Sequence, residues 1–415
     1  MLTFKRLPKQ AFVARQPLWK QRNYMLLWAG QGLSWIGSEI SGIAMPLVIL
    51  SLTGSSAIAG AVIAMRGITY VLLAIPAGYL LDKGKRRHIM LVGNAGSGLA
   101  MLVVAIGLLF HRLTIVELFL LMGIEGGCFV FANIGRFSSR RFLVANEQLP
   151  QAVAQDSMIE HFAILVGPSV GGLLYQTVGA VFSFATDALS YFFNVVALLF
   201  INSPLSVPGA LKDIPIRQGL KEAGSWFWQN RLYRIFIMLS WIRTLATSSL
   251  SFLVIVLARD LHAPATTIGV VLAMSAVAGI AGSAFFGKVT PLFDRYTILT
   301  VSNVLCAGGF LLYVFANSVV ALAIITAFLF AILPGFYIIC GNIAGEIPHH
   351  LQGRVTSITR SGDYLSYSAG LFLVGFALQF LGNTWTITIL ATLLAVFSLA
   401  TALHKKLLKL AWGDP

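Results

Sequence analysis

Twelve stretches of about twenty or more mostly apolar residues follow one another along this 415-residue chain, and no other feature constrains its fold as tightly. They fall near residues 23–49, 56–80, 88–110, 114–136, 157–178, 180–202, 234–257, 267–288, 295–316, 319–341, 357–381 and 384–403. A helix rises about 1.5 Å per residue, so about 20 residues cross the roughly 30 Å of hydrocarbon in a bilayer. Every backbone N–H and C=O in hydrocarbon needs an internal partner, which a helix supplies within one segment. The expectation is an all-α integral membrane protein with twelve transmembrane helices. Composition agrees: 57% of residues are apolar and 11% charged, against about 25% charged in ordinary soluble domains.

The basic residues set the orientation. With both termini cytoplasmic, 23 of the 29 Lys and Arg fall in cytoplasmic segments, two fall outside (Arg112, Arg259), and four lie within or at the ends of spans (Arg66, Arg136, Arg243, Arg360). The reverse topology would invert the positive-inside bias. This confinement to alternate loops also removes nucleic acid as the reason for a net charge of +14. The apolar run after the basic residues 1–22 is longer than a signal peptide's and lacks a small-residue cleavage site, so it reads as a retained first span. Cys128, Cys306 and Cys340 each sit in an apolar stretch and offer neither a disulfide framework nor a zinc site. No metal and no cofactor are expected.

The longest connection, residues 203–233, divides the chain into six-helix bundles at 23–202 and 234–403, between a basic cytoplasmic N-terminus (1–22) and a cytoplasmic tail (404–415). It opens with the helix-breaking SPLSVPG and continues as IRQGLKEAGSWFWQNRLYR, a basic amphipathic helix expected to hold Trp226 and Phe227 near the lipid interface or to serve as a surface linker. VANEQLPQAV and EIPHHLQGRV occupy equivalent places in the two halves. Related halves suggest a central cavity where they meet.

Between spans two and three stands GYLLDKGKRR: Gly78 to permit close helix packing, Asp82 at the helix end, then Lys83, Arg86 and Arg87. Asp82 can sit against the positive end of a neighbouring helix, and the arginines can pair with acids or lipid phosphates, contacts that would hold the cytoplasmic side closed. A phosphate-loop reading fails: five residues separate Gly78 and Gly84 where four are required, and Arg86 replaces the required Ser or Thr. The loop resembles the signature of the major facilitator superfamily at Gly78, Leu80, Asp82, Lys83, Gly84 and Arg86. A stretched copy, GKVTPLFDRY, keeps Gly287, Asp294 and Arg295. GPSVGG in span five, with Gly167, Pro168, Gly171 and Gly172, is similar to the antiporter motif of that superfamily, although tight helix packing alone explains it too. With RNYMLLWAGQGLSWIGSE, AMRGITYVLLAIPAG and EIPHHLQGRVTS, the chain resembles the macrolide-efflux and enterobactin-exporter branch over nearly all of 20–403. The resemblance implies the two-bundle facilitator fold in a bacterial inner membrane and a monomer. It also implies secondary active export of an amphipathic small molecule, such as a drug, secondary metabolite or siderophore, by proton antiport with alternating access.

A charge at mid-bilayer costs about 2.5 to 3.5 kcal/mol on insertion scales, so each needs a partner or a wet cavity. Glu39 and Arg66 lie about equally deep and are expected to be able to pair. Either Glu39 exchanges a proton with Arg66 tuning it, or the two form a permanent ion pair that fixes helix orientation. Gln31, Trp35, Tyr70, Glu125, Phe129, Asn133, Asp187, Arg243 and Tyr337 are candidate cavity residues; Asp187 and Arg243 could equally tie helices together, buried amides such as Gln31 and Asn133 more often do, and the aromatics also suit lipid contact and interface belts. A lipid or lysolipid translocator of the same fold and a non-transporting membrane sensor or assembly factor are the competing readings. No paired aspartates, metal-ligand helix or serine and histidine constellation points to an enzyme.

Overall fold

The computed structural model describes residues 17–82, 86–203, 205, 216–344, 347–348 and 351–403, and among these there is no β-strand. The helices are α1 (Arg22–Thr53), α2 (Ser56–Asp82), α3 (Arg86–Leu109), α4 (Ile115–Leu143), α5 (Leu149–Thr177), α6 (Ala180–Leu199) and α7 (Ile216–Gln229). They continue as α8 (Arg231–Thr247), α9 (Leu250–Asp260), α10 (Ala265–Val289), α11 (Arg295–Leu312), α12 (Val319–Ala344), α13 (Gln352–Phe380) and α14 (Gly382–Leu403). At one end of the molecule the turns are tight. Gly54 ends α1 in the left-handed conformation, φ 65°, and Gly179 and Gly382 occupy positive φ at the same end. The loops rich in Lys and Arg lie at the other, hereafter the basic end.

Among the described residues, eleven helical segments are long and apolar enough to cross a membrane, α8 and α9 together making one of them. Large apolar side chains face outward along them, Leu72, Val92, Val116, Leu189, Val320 and Trp385 among the most exposed. α13 is as long as α5 but is not among these segments; its C-terminal stretch still carries Asp363 and several Ser, Tyr and Gln residues. The seventh apolar stretch, expected as one helix, is broken at Ser248 and Ser249. Phe252 to Ala258, beyond the break, are buried on every side.

α1 packs on α5 and α6, α3 on α4 and α6, and α2 on α4; α10 packs on α12, α11 on α12 and α14, and α8 on α13. The two sets meet chiefly along α2 against α13 and α5 against α10. Glycine makes both seams possible. A Cβ on Gly60 would stand 2.5 Å from the Leu371 carbonyl, and one on Gly67 would collide with Ser368. Across the other seam Gly172 abuts the Ala265 carbonyl and Gly269 the Pro168 carbonyl. Toward the basic end the helices part. Among the described residues no neighbouring helix comes within 4 Å of a Cβ built on Gly78 or on Gly287, so the expected close packing at Gly78 is not seen there.

Of the two readings of α7, a lipid-interface helix or a surface linker, its burial fits the second. Ala223 and Phe227, one turn apart, are buried with Tyr233, Phe236 and Phe336, so this face covers protein rather than lipid. Trp226 is half-buried and Trp228, on the other face, is 60% exposed.

Candidate functional site

α1 places Ser34, Ser38 and Ser41 at helical spacing on one face, toward α6. Ser41 Oγ donates to Asp187 Oδ2 at 2.5 Å, and Ser38 Oγ lies 3.1 Å from Tyr191 Oη. Tyr191 Oη donates to Glu125 Oε1 at 2.7 Å, and Arg66 Nε stands 3.0 Å from Glu125 Oε2. A continuous line of polar groups therefore runs through the apolar bundle from α2 through α4 and α6 to α1. Tyr191 gives its single proton to Glu125, so Ser38 is the donor to Tyr191. Ser38 Oγ also lies 3.5 Å from Asp187 Oδ1, so Glu125 and Asp187 stand at the two ends of this chain of hydroxyls.

The expected pairing of Glu39 with Arg66 is not what forms. Arg66 turns to α4, where Gly126 allows the helices to meet with a built Cβ only 2.7 Å from the Arg66 Cα. Glu125 is its carboxylate partner, and the Phe129 ring lies 4.5 Å beneath its guanidinium. Glu39 is half-buried near the middle of α1, with no hydrogen bond or ion pair to a described residue, and it faces Gly167 of α5, where a Cβ would overlap its own. A Cβ built on Gly171, one turn on, would stand 2.8 Å from the Ile40 carbonyl. Thus α5 is wedged between α1 and α10, with Gly167 and Gly171 on one side and Pro168 and Gly172 on the other. Around Arg66, then, stand three acids, Glu39, Glu125 and Asp187, of which Glu125 is its ion-pair partner.

The remaining candidates scatter. Tyr70 is buried and stacks on Tyr364 of α13 at 3.7 Å, inside the seam between the halves, and Asn133 neighbours it. Gln31 is buried in α1. Trp35 lies under Arg136, 4.6 Å from its guanidinium. Tyr337 is 53% exposed, whereas Arg243 is fully buried in the other half. Of the basic loop, Arg86 Nε donates to the Leu81 carbonyl at 3.2 Å and lies over the Phe142 ring, and Arg87 donates to the Leu199 carbonyl at the end of α6. The Asp82 carboxylate and Lys83 lie outside the described residues.

Sequence reasoning missed three groups. Tyr191 and the serines of α1 bridge the acids, and their only signal is the serine spacing. Asp156 of α5 accepts from Arg136 Nη1 at 2.8 Å and contacts Arg140 Nη2, so one buried carboxylate serves two arginines. Their separation of one helical turn was the available signal. An apolar groove of about 600 Å³ opens between α8 and α14, lined by Leu239, Ile242, Trp385 and Ile389, away from all of these acids.

The family model described as transmembrane secretion effector matches residues 14–411. The multidrug efflux pump Tap of Mycolicibacterium fortuitum is 23% identical over 363 residues, 82% of this chain and 85% of the pump. The enterobactin exporter EntS of Citrobacter koseri is 23% identical over 282 residues, 67% of this chain and 66% of the exporter. Among solved structures, the nucleoside transporter NupG superposes with a TM-score of 0.74 at 14% identity, and a bacterial metal transporter with 0.66 at 16%, each covering 93% of this chain and 99% of its own.

Proposed function

Because the chain belongs to the transmembrane secretion effector family of the major facilitator superfamily, a multi-pass membrane transporter of the efflux type, we propose that it exports an amphipathic small molecule in exchange for protons by alternating access. In this reading α13 is the twelfth span, both termini are cytoplasmic, and residues 23–202 and 234–403 are the two moving halves. The chain acts as a monomer in a bacterial inner membrane.

One observation carries the proton assignment. Glu39 is an acid near the middle of a spanning helix, with no cation partner among the described residues, pressed against Gly167 where α5 meets α1. Protonation removes the insertion cost of about 2.5 to 3.5 kcal/mol that an unpaired charge carries there, so whichever conformer gives Glu39 water also gives it up to ionisation. The relay Asp187, Ser38, Tyr191, Glu125 lies next along α1, and with its donors directed at Glu125 it can pass a proton from Asp187 toward Glu125. In this reading Arg66 is the counter-charge of Glu125.

Closed seams at the end with tight turns and parted helices at the basic end fit an inward-facing conformer. Gly78, Asp82, Lys83, Arg86 and Arg87 then form the gate that closes when α2 and α13 meet at the basic end. Gly167, Pro168, Gly171 and Gly172 form the surface on which α5 stays packed through the change. The names of the relatives, a multidrug pump and an enterobactin exporter, support a drug or a siderophore-like compound as cargo.

Inverted membrane vesicles holding a pH gradient test this. Addition of lipophilic cations, macrolides and siderophores in turn should dissipate the gradient with one class and not with the others. Silence with all of them, in vesicles where a known antiporter responds, sinks the proton-exchange reading.

A further inference from the structure

Arg243 of α8 has 0% exposure and lies in the half of the molecule that lacks Glu39, Glu125 and Asp187. Its Nε donates to Asn303 Oδ1 of α11 at 3.1 Å, and the Phe336 ring of α12 covers the face of the guanidinium at 4.1 Å. Among the described residues Nη1 and Nη2 have no acceptor, and neither has the buried Asn303 Nδ2. No described carboxylate pairs with Arg243, the ion pairs being those of Arg66, Arg136, Arg140 and Arg354. Cys306, one turn from Asn303 and buried too, offers only a weak sulfur acceptor.

A guanidinium keeps its proton in any protein, and its N–H groups point outward in the plane of the group. Phe336 screens one face of that plane but accepts nothing at its edge. What is left is a buried edge rich in donors, made by the Arg243 fork and the adjoining Asn303 amide, with one uncompensated positive charge. Water can accept from such donors but cannot neutralise them.

We propose that this edge binds one monovalent anion, held by Arg243 Nη1 and Nη2 and by Asn303 Nδ2 through charge-assisted hydrogen bonds. The anion is either an inorganic halide from solution or the acid group of an organic compound taken up by the protein. The site does not depend on the direction or coupling of transport.

The test is binding of radiolabelled chloride to the purified full-length chain at constant ionic strength, with gluconate as the replacement and benzoate as the organic competitor. Saturable binding is expected, weakened in Arg243→Lys and lost in Asn303→Asp. The second substitution supplies the missing negative charge at the position where Asn303 Oδ1 already meets Nε, so it should raise the thermal midpoint while removing the anion. That rise separates a filled site from a damaged fold. Chloride at about ten times its dissociation constant should multiply the folded-state weight of the wild type about elevenfold and leave Asn303→Asp unmoved. Displacement by benzoate assigns the organic acid group as an occupant, and failure to displace assigns the halide. If the wild type binds neither chloride nor benzoate above the level of Asn303→Asp, the proposal is overturned and water is the partner.

Discussion

Glu125→Gln and Glu39→Gln should shift thermal stability in opposite directions, although both remove a carboxylate from the middle of the same bundle. Glutamine at 125 keeps an acceptor for Tyr191 but leaves Arg66 a cation without its counter-charge. Breaking a buried pair from one side costs about 3–5 kcal/mol. The Arg66 side chain is 33% exposed, so solvent screening favours the lower end, about 3 kcal/mol. With an unfolding entropy of about 2.1 cal/mol/K per residue, 415 residues give about 0.9 kcal/mol/K, and the midpoint should fall by about 3–4 °C. Glu39→Gln removes a charge with no described partner, so its midpoint should stay or rise, by at most about the same amount given an insertion cost of about 2.5–3.5 kcal/mol. The assay is the loss of monodisperse protein on heating in detergent, followed by size-exclusion chromatography. Arg66→Met added to Glu125→Gln should recover most of the loss, since no bare charge then remains. Equal falls in both single variants, with coupling between Glu39 and Arg66 rather than between Glu125 and Arg66, would refute the pairing.

Asp156→Asn strips the shared partner from two buried arginines, so it should lower the midpoint by more than Glu125→Gln in the same heating assay. Gly172→Leu should drive α5 away from the Ala265 carbonyl and abolish transport with the protein still inserted, whereas Gly78→Leu, facing open space, should leave the midpoint unchanged; transport counts and melting curves check both. Phe227→Ala empties a buried site and should cost about 3–5 kcal/mol, a fall of about 3–6 °C by the same entropy scale. Trp228→Ala, on the exposed face, should move the midpoint by less than a degree or so, within the about ±0.5 kcal/mol usual for surface changes.

Element existence was legible because a spanning helix needs an unbroken apolar run, and eleven of the twelve runs meet that criterion in the structure. Partner choice was not. Counting residues along a helix fixes the depth of Glu39, Arg66 and Glu125 but not the direction in which each faces, and it is rotation of α2 toward α4 that gives Arg66 to Glu125. The pair Gly126 and Gly127 beside Glu125 was the sign that α2 could come close there. The break in the seventh stretch follows from TSS at 247–249, where hydroxyls compete for backbone hydrogen bonds. Thr247 does accept that role, donating to the Arg243 carbonyl at 3.1 Å. For α7, the amphipathic pattern was read correctly as a pattern, but its apolar face had two possible covers, lipid or protein, and the sequence does not distinguish them.

The central claim is that Glu39 exchanges the proton that drives export. The direct measurement uses proteoliposomes and one cargo identified in the vesicle screen, comparing the wild type with Glu39→Gln in two modes. The account predicts that Glu39→Gln loses uptake driven by a pH gradient yet retains exchange of labelled for unlabelled cargo at equal pH, because cargo can still cross while the proton cannot. Gradient-driven transport at the wild-type rate in Glu39→Gln would contradict it.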